Sequence, residues 1–493
     1  MTIDRKRIFE IVLLVFIISS GRLFSQLAPT SYVTRDFVES KVKFLSDDLL
    51  EGRKTGTRGN AIAALYIAES FRTMGLKPAL SLGGYYQKIG FSETSPPQEI
   101  DLSIDEVTIS EEQVIVMEGK DINFDGQIIY AKQAWGADLD DLDVEGKYAL
   151  AYLGNSDVNN AQDAFGLSSD KLNQLMERQA AGLIEIYNGR VPWNYVKRFM
   201  DSQRMKIEDI SAQNLPHIIV NHDLDETIEK MKPGEGVRLR LQSDGIDKKT
   251  VVSPNVIGII EGSDADLKQE YIVLSAHFDH MGMLRGASET DSVFNGARDN
   301  AIGCAALLSA ANYLAKNRPK RSILCVAFTG EEMGLLGSQY YVNHPVVPLH
   351  QTIFNLNCDG AGYSDTSIIS VMGMGRISVD HLLAYAISET GLAPFADPAP
   401  EQNLFDRSDN VSFAKKGIPA PTITPGFKEF DDAIMKNYHQ LSDEANDLDF
   451  NYLHKFCQAF VKATELIANH DERPKWVAGD KYESAFNELY EIK

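Results

Sequence analysis

Apolar positions recur along the chain at two spacings, and the changes between them mark the elements. Residues 35–50 carry Val38, Val42, Leu45 and Leu49 at three- and four-residue steps, which predicts a helix. The turn-rich loop Glu51–Gly59 (EGRKTGTRG) interrupts the pattern. Asn60 is the expected N-cap of a second helix, with Ala64, Ala68 and Phe71 along one side. Gly75 ends that helix, and Pro78 lies just beyond. Over 97–118 the spacing shortens to alternation, at Ile100, Leu102 and Ile104 and at Val114 and Val116, which predicts strands. From about 118 to 248 come short β-like runs (QIIYA, YALAYLG, GLIEIY, PHIIVN, VRLRLQ) and an amphipathic helical run around 168–181. None of these runs ends in a His/acid pair. The stretch reads as a separate, smaller domain inserted into the first.

From Ser253 strands and helices alternate: VVSPNVIGIIEG, YIVLSAHFDH, a helix over 300–317, SILCVAFTGEE, a helix around 335–343, TIFNLNCDG, a strand at 367–372, a helix over 379–390, PAPTIT, and a long helix over 448–469. Such alternation predicts an α/β fold, a layered sheet with helices on both faces. In the helix after Asp299, the residues Leu307, Ala311 and Leu314 form an apolar stripe. The resulting division is 27–117, the first part of the main domain; 118–248, the insert; 249–470, the rest of the main domain; and 471–493, a polar tail expected to pack loosely.

Composition narrows the function. The chain has 493 residues, 44% hydrophobic and 24% charged, as in ordinary globular proteins. Its net charge of −22 repels phosphate backbones, so nucleic acid is excluded as a partner. Arg5, Lys6 and Arg7 precede an apolar stretch Ile11–Ile18 and the small residues Ser19, Ser20 and Gly21. This is the pattern of a cleavable signal peptide over 1–25, and it predicts a secreted or periplasmic protein. The apolar stretch is far short of the roughly 20 residues that span a bilayer, so no membrane span is expected after cleavage. Cys304, Cys325, Cys358 and Cys457 form no CxxC and read as buried small hydrophobes.

The candidate chemistry sits where strands end. The run Tyr271–Ala276 is followed by His277, Phe278, Asp279 and His280. Residues two apart on a strand face the same way, so the Asp279 carboxylate can fix the tautomer of His277, as it does for many metal-bound histidines. Asp299 opens the next helix, as a metal ligand or as a plain N-cap. Glu331 and Glu332 follow the apolar run Ser322–Thr329; adjacent side chains diverge, so one can bind a metal and the other reach a water. Asp359 ends TIFNLNCDG, and His439 lies in a loop, Tyr438–Asp443. Three of these acids, Asp299, Glu332 and Asp359, would balance two divalent cations better than one. Histidine with carboxylate suits zinc, with cobalt or manganese as alternatives.

Five stretches occurring in this order, HFDHMG, GARDNAIG, FTGEEMGLLGS, NLNCD and YHQLSDE, resemble the M28 family of zinc peptidases, the group of the bacterial leucyl aminopeptidases. EGKYALAYLG, QAAGLIEIY and LPHIIVN are similar to strand motifs of a protease-associated (PA) domain. The resemblance implies a mixed β-sheet sandwiched between helices, with a smaller β-rich PA-like insert. It implies two Zn2+ per chain: one held by His277 and Asp359, the other by Glu332 and His439, with Asp299 bridging. Glu331 would be the general base, and Asp279 would orient His277. His280 would then support the site without binding a metal. Arg298 and Ile302 depart from the family pattern, in which small or acidic residues and Ser, respectively, are common. Ser408-Asp409 resembles a further motif near the substrate pocket, with Asn410 where His is frequent.

The implied activity is that of an aminopeptidase acting on peptides or proteins. A glutaminyl cyclase-like acyltransferase, a carboxypeptidase or dipeptidase of the same family, and an inactive binding module are the rival readings. The substrate side chain and the oligomeric state are not legible.

Overall fold

The strand Tyr271–His277 is buried along nearly its whole length, which requires cover on both faces of its sheet. The computed structural model describes residues 33–154, 161–189, 191–208, 215–231, 235–284 and 291–492. The expected signal peptide lies outside these residues. The chain forms two units, one of residues up to Ile89 together with Ser253 onwards, the other Gly90–Val252.

In the first unit Tyr271–His277 lies between Ser322–Phe328 and Thr352–Cys358, parallel to both. Thr422–Pro425 continues the parallel set beyond Thr352–Cys358. Antiparallel strands flank it: Val256–Ile260 pairs with Ile323–Ala327, and Ile368–Met372 with Thr422–Pro425. The sheet is therefore mixed and has a parallel centre, sandwiched between helices. Ile302–Leu314 packs on its central strands and against Arg35–Leu45, Arg58–Met74 and Phe450–Asn469. Leu336–Asn343 packs against Asn410–Lys415, which in turn touches Thr352–Cys358.

Several local expectations are corrected. The first helix stops at Leu45, and a tight turn through Glu51 and Gly52, both at positive φ, follows; Leu49 is left 81% exposed. Thr57, not Asn60, caps the second helix. Asn60 is buried instead, donating to the Arg53 carbonyl and accepting from Ser253 Oγ. Helix Ile302–Leu314 has no single apolar stripe, because it is buried on all sides among other helices and the sheet. The four cysteines are buried and free.

The C-terminal segment does not pack loosely. Trp476 and Phe486 are buried, and Trp476 Nε1 donates to the Gly417 carbonyl. The Arg376 guanidinium lies 4.0 Å from the Phe405 ring and bonds Asp480 at 2.7 Å. The segment contains too few apolar residues to show this in its composition, since its anchors are ring and salt-bridge contacts to distant residues.

The second unit begins at Gly90, earlier than the expected 118. Strand pairing sets that boundary: Ile100–Ile104 pairs with Val237–Gly245, and Val114–Glu118 with His217–Val220. Its eight-stranded sheet has a parallel core of Lys120–Tyr130, Tyr148–Tyr152, Gly182–Ile186 and His217–Val220. Glu185, on the third of these, is fully buried; it accepts from Lys171 Nζ at 2.8 Å and Ser168 Oγ at 2.5 Å, and meets His217 Nε2 at 2.8 Å. Among the described residues of the chain, no helix is long and apolar enough to cross a membrane.

Candidate active site

Parallel strands point their carboxyl ends to one edge of a sheet, and this sheet delivers its polar residues there. His277 is the last residue of its strand and lies in register with Phe328. The next strand ends at Phe328, and the chain turns through Gly330, at φ +72°, to present Glu331 and Glu332. On the other side Asp359 directly follows Thr352–Cys358. Two loops bring the remaining groups. Asp299 lies in a tight turn ahead of helix Ile302–Leu314, and His439 takes a left-handed conformation, φ +56°.

The imidazoles and carboxylates form two overlapping sets around Asp299. His277 Nε2 lies 3.2 Å from Asp299 Oδ1 and 3.1 Å from Asp359 Oδ1. His439 Nε2 lies 3.2 Å from Asp299 Oδ2 and 3.2 Å from Glu332 Oε2. Each oxygen of Asp299 thus faces a different histidine. Glu331 Oε2 is 3.9 Å from His277 Nε2. His280 takes the other oxygen of Glu332, at 2.6 Å from Nδ1, and its Nε2 is buried without a partner among the described residues. Two groups of donor atoms lie close enough to share a cation, His277–Glu331–Asp359 and His280–Asp299–Glu332. The His280–Glu332 distance is that of a direct charge-assisted hydrogen bond, whereas His439 stands off from two carboxylates at once.

The supporting contacts refine the expected roles. The strand ends before Asp279, whose carboxylate is 3.8 Å from His277 Nδ1, while its backbone carbonyl is closer, at 3.2 Å. The carboxylate instead accepts from the backbone N–H groups of Glu331 and Glu332, at 3.2 and 3.3 Å, and from Thr55 Oγ1 at 3.1 Å. Asp279 therefore fixes both glutamates as well as the histidine. Asp299 is not an N-cap: Asn300 Oδ1 accepts from Gly303 N, and Asp299 N donates to Asp443 Oδ2 at 3.1 Å. Arg298 is buried and pairs with Asp443 and Asp447. Ser408 Oγ donates to Asp359 Oδ2 and accepts from Asn357 Nδ2 at 2.8 Å.

Sequence reasoning missed Arg53. Its guanidinium is buried and donates to the carbonyls of Leu45, Phe278, Asn295 and Gly296. It ties the early loop beneath the His277 and Asp299 segments. An arginine in a turn-rich loop gives no local sign of such distant carbonyl partners. Gly296, at φ +60°, is required here, because a Cβ would lie 2.3 Å from the Asp299 carbonyl and 2.6 Å from the His280 ring.

The electrostatics favour bound positive charge. Burial disfavours a protonated imidazole, but Asp299 and Glu332 overcome it and raise the pKa of His439 to about 10. Asp359, Glu331 and Asp299 likewise hold His277 well above its ordinary value despite burial. Burial pushes Glu331 well above the usual carboxylate range; His277 opposes this, and Asp359 and Glu332 reinforce it. Burial lifts Asp279 to about 6, against the pull of His277. Zinc bonds of about 2.0–2.2 Å meeting at a tetrahedral angle place neighbouring donors roughly 3.3 Å apart. The 3.1–3.2 Å separations around Asp299 fit that spacing. The donor set, histidine with carboxylate, fits zinc.

A cavity of about 130 Å³ opens beside these groups. Met372, Leu404, Phe427 and Phe430 form apolar walls, and Arg407 and Tyr438 also line it. Arg407 Nη2 lies 3.4 Å from the Tyr438 hydroxyl.

Residues 255–464 match the model of peptidase family M28. A vacuolar membrane protease of Lachancea thermotolerans is 32% identical over 228 residues, which is 45% of this chain and 21% of that protein. The vacuolar membrane protease of Candida tropicalis is 27% identical over 182 residues, 34% of this chain and 19% of that protein. The match thus spans about a fifth of the length of these curated relatives. The solved aminopeptidase from Aneurinibacillus sp. strain AM-1 has the same fold, with a TM-score of 0.54 and 20% identity over 91% of this chain and 95% of that one.

Proposed function

Residues 255–464 of this chain belong to peptidase family M28, and from that premise we propose that the protein is a dizinc aminopeptidase removing apolar N-terminal residues from peptides. The observation that carries this reading is Asp299, with one oxygen turned to His277 and the other to His439. His277 and Asp359 would hold one zinc, and Glu332 and His439 the other. Metals bound there would supply Lewis-acid polarisation of the scissile carbonyl and a water of lowered pKa.

The rest is the work of side chains. Glu331 faces the same cavity, so its carboxylate is placed to accept a proton from water and pass it to the leaving amine. Asp279 keeps Glu331 in place through the backbone N–H. Met372, Leu404, Phe427 and Phe430 would receive an apolar side chain and exclude water from it.

We place the protein outside the cytoplasm, on the basic, apolar and small-residue succession of residues 5–21. The second unit is read as a PA-like insert from its strand motifs.

The test is Glu331→Gln, with zinc content and turnover of leucine p-nitroanilide measured on the same preparation. Zinc should stay near two per chain, and kcat should fall about 10²- to 10⁴-fold. Retained activity would sink the assigned base. One zinc per chain, with cyclisation of N-terminal glutamine by the unsubstituted protein, would establish the acyltransferase instead.

A further inference from the structure

The second unit encloses a cavity of its own, about 340 Å³, lined by residues of Gly90–Val252. Strand Arg204–Ile207 forms part of its wall, antiparallel to the end of Tyr86–Ser95, with Thr94 opposite Arg204 and Ser92 opposite Lys206. Arg204 and Lys206 are two residues apart on that strand, so both face the cavity.

Arg204 is unusual among the interior arginines. Arg298 and Arg321 bond carboxylates, and Arg53 bonds four carbonyls. Among the described residues Arg204 Nε is buried with no acceptor, and Nη1 meets only the thioether sulfurs of Met117 and Met200, at 3.4 and 3.9 Å. Thioethers are weak acceptors. Burial lowers the pKa of Arg204 against the distant pull of Glu118 and Asp201. A half-buried guanidinium whose Nε meets no acceptor is costly. The charges around it do not supply one: Glu118 is taken by Lys206 at 2.8 Å, and Glu185 by Lys171 and His217. Among the charged groups lining this cavity Lys206 and Glu118 neutralise each other, which leaves the charge of Arg204 unbalanced.

The remaining lining is mixed. Ser169 offers a hydroxyl, that of Ser168 being committed to Glu185, while Met117 and Leu172 offer apolar surface. A hydrated inorganic anion makes no use of apolar walls. We propose that this cavity binds an organic carboxylate, borne by the C-terminus or an acidic side chain of a peptide, with the Arg204 fork and Lys206 on the carboxylate and the carbon body against Met117 and Leu172. The planar fork of arginine matches a carboxylate in two-point contact. The site does not depend on the peptidase reading, because none of its residues lines the catalytic cavity.

The test is titration calorimetry on the full-length, zinc-loaded protein. The probes are N-acetyl-leucine, N-acetylglutamic acid α-amide, the neutral N-acetyl-leucine amide and inorganic phosphate. At least one of the two carboxylates should bind, and which one binds identifies the source, C-terminus or side chain. Arg204→Met should weaken that binding about tenfold or more, and Lys206→Met should weaken it less. Turnover of the chromogenic substrate should be unchanged in both. Arg204→Lys, which keeps the charge and loses the fork, serves if the Met variant does not fold, and it too should bind more weakly. The proposal is overturned if the folded Arg204 variant binds as the parent does, if the neutral amide binds as well as the acid, or if phosphate binds more tightly than either carboxylate.

Discussion

Each unit of this protein buries carboxylates, and the two differ in what surrounds them. In the second unit Glu185 is wholly enclosed, but Lys171, His217 and Ser168 all bond it. Burial pushes its pKa up, and His217 and then Lys171 more than reverse the push, so the carboxylate stays ionised. In the peptidase unit Asp299, Glu331, Glu332 and Asp359 converge on two imidazoles, with no lysine or arginine bonded to any of the four among the described residues. The first cluster is complete as a structural element. The second is balanced only by added positive charge, and that imbalance is what a metal centre requires. Buried acids therefore point to function through the cations missing from their surroundings, not through burial itself.

The comparison breaks most readily at Lys171. Lys171→Met leaves Glu185 buried with less compensation and should cost about 3–5 kcal/mol. Urea denaturation followed by hydrogen exchange in Tyr148–Tyr152 and Gly182–Ile186 would measure it; a loss below about 1 kcal/mol would show that the pair is not structural.

A smaller effect is expected in the other unit. Ser408→Ala removes the hydroxyl that steadies Asp359 and should lower zinc affinity about 10- to 100-fold. Competition with a chelator reads this directly, and unchanged affinity would remove Ser408 from the site.

The smallest effect is that of mild acid on the second unit. The pKa of Glu185 is depressed in the fold, so its contribution to stability is present above the unfolded value of 4.5 and is lost as pH falls through the lower, folded value. Exchange protection in Gly182–Ile186 should therefore decline below pH 4.5. Protection that holds or rises in that range would contradict the ionised state.

How much of this was legible follows from how local each signal is. His277, Glu331, Glu332 and Asp359 stand where apolar strand runs end, and a buried parallel strand announces itself by composition alone. Asp299 and His439 lie in loops, and only the order of motifs linked them to the strand ends. Arg53, Asp443 and Ser408 were invisible as partners, because each acts through a hydrogen bond to a residue far along the chain. The early start of the second unit was hidden for the same reason: alternation predicts a strand but not its pairing. The C-terminal segment was misread because polar residues and scattered rings resemble a frayed end until their partners, Arg376 and Phe405, are known.

The split of the peptidase unit around Gly90–Val252 also has a timing consequence during synthesis. Helices Arg35–Leu45 and Arg58–Met74 leave the ribosome first, yet the strands and the helix Ile302–Leu314 that cover Val38, Val42 and Phe71 begin only after Ser253. From Gly75 to Ser253 is roughly 180 residues, which at about 5–20 residues per second is about 10–35 s of elongation. Only at the end of that interval is the second unit, continuous in sequence, complete, and throughout it the amino-terminal helices wait with their apolar faces uncovered. The nascent chain thus carries an early, sticky segment whose protection lies in a part of the message not yet translated.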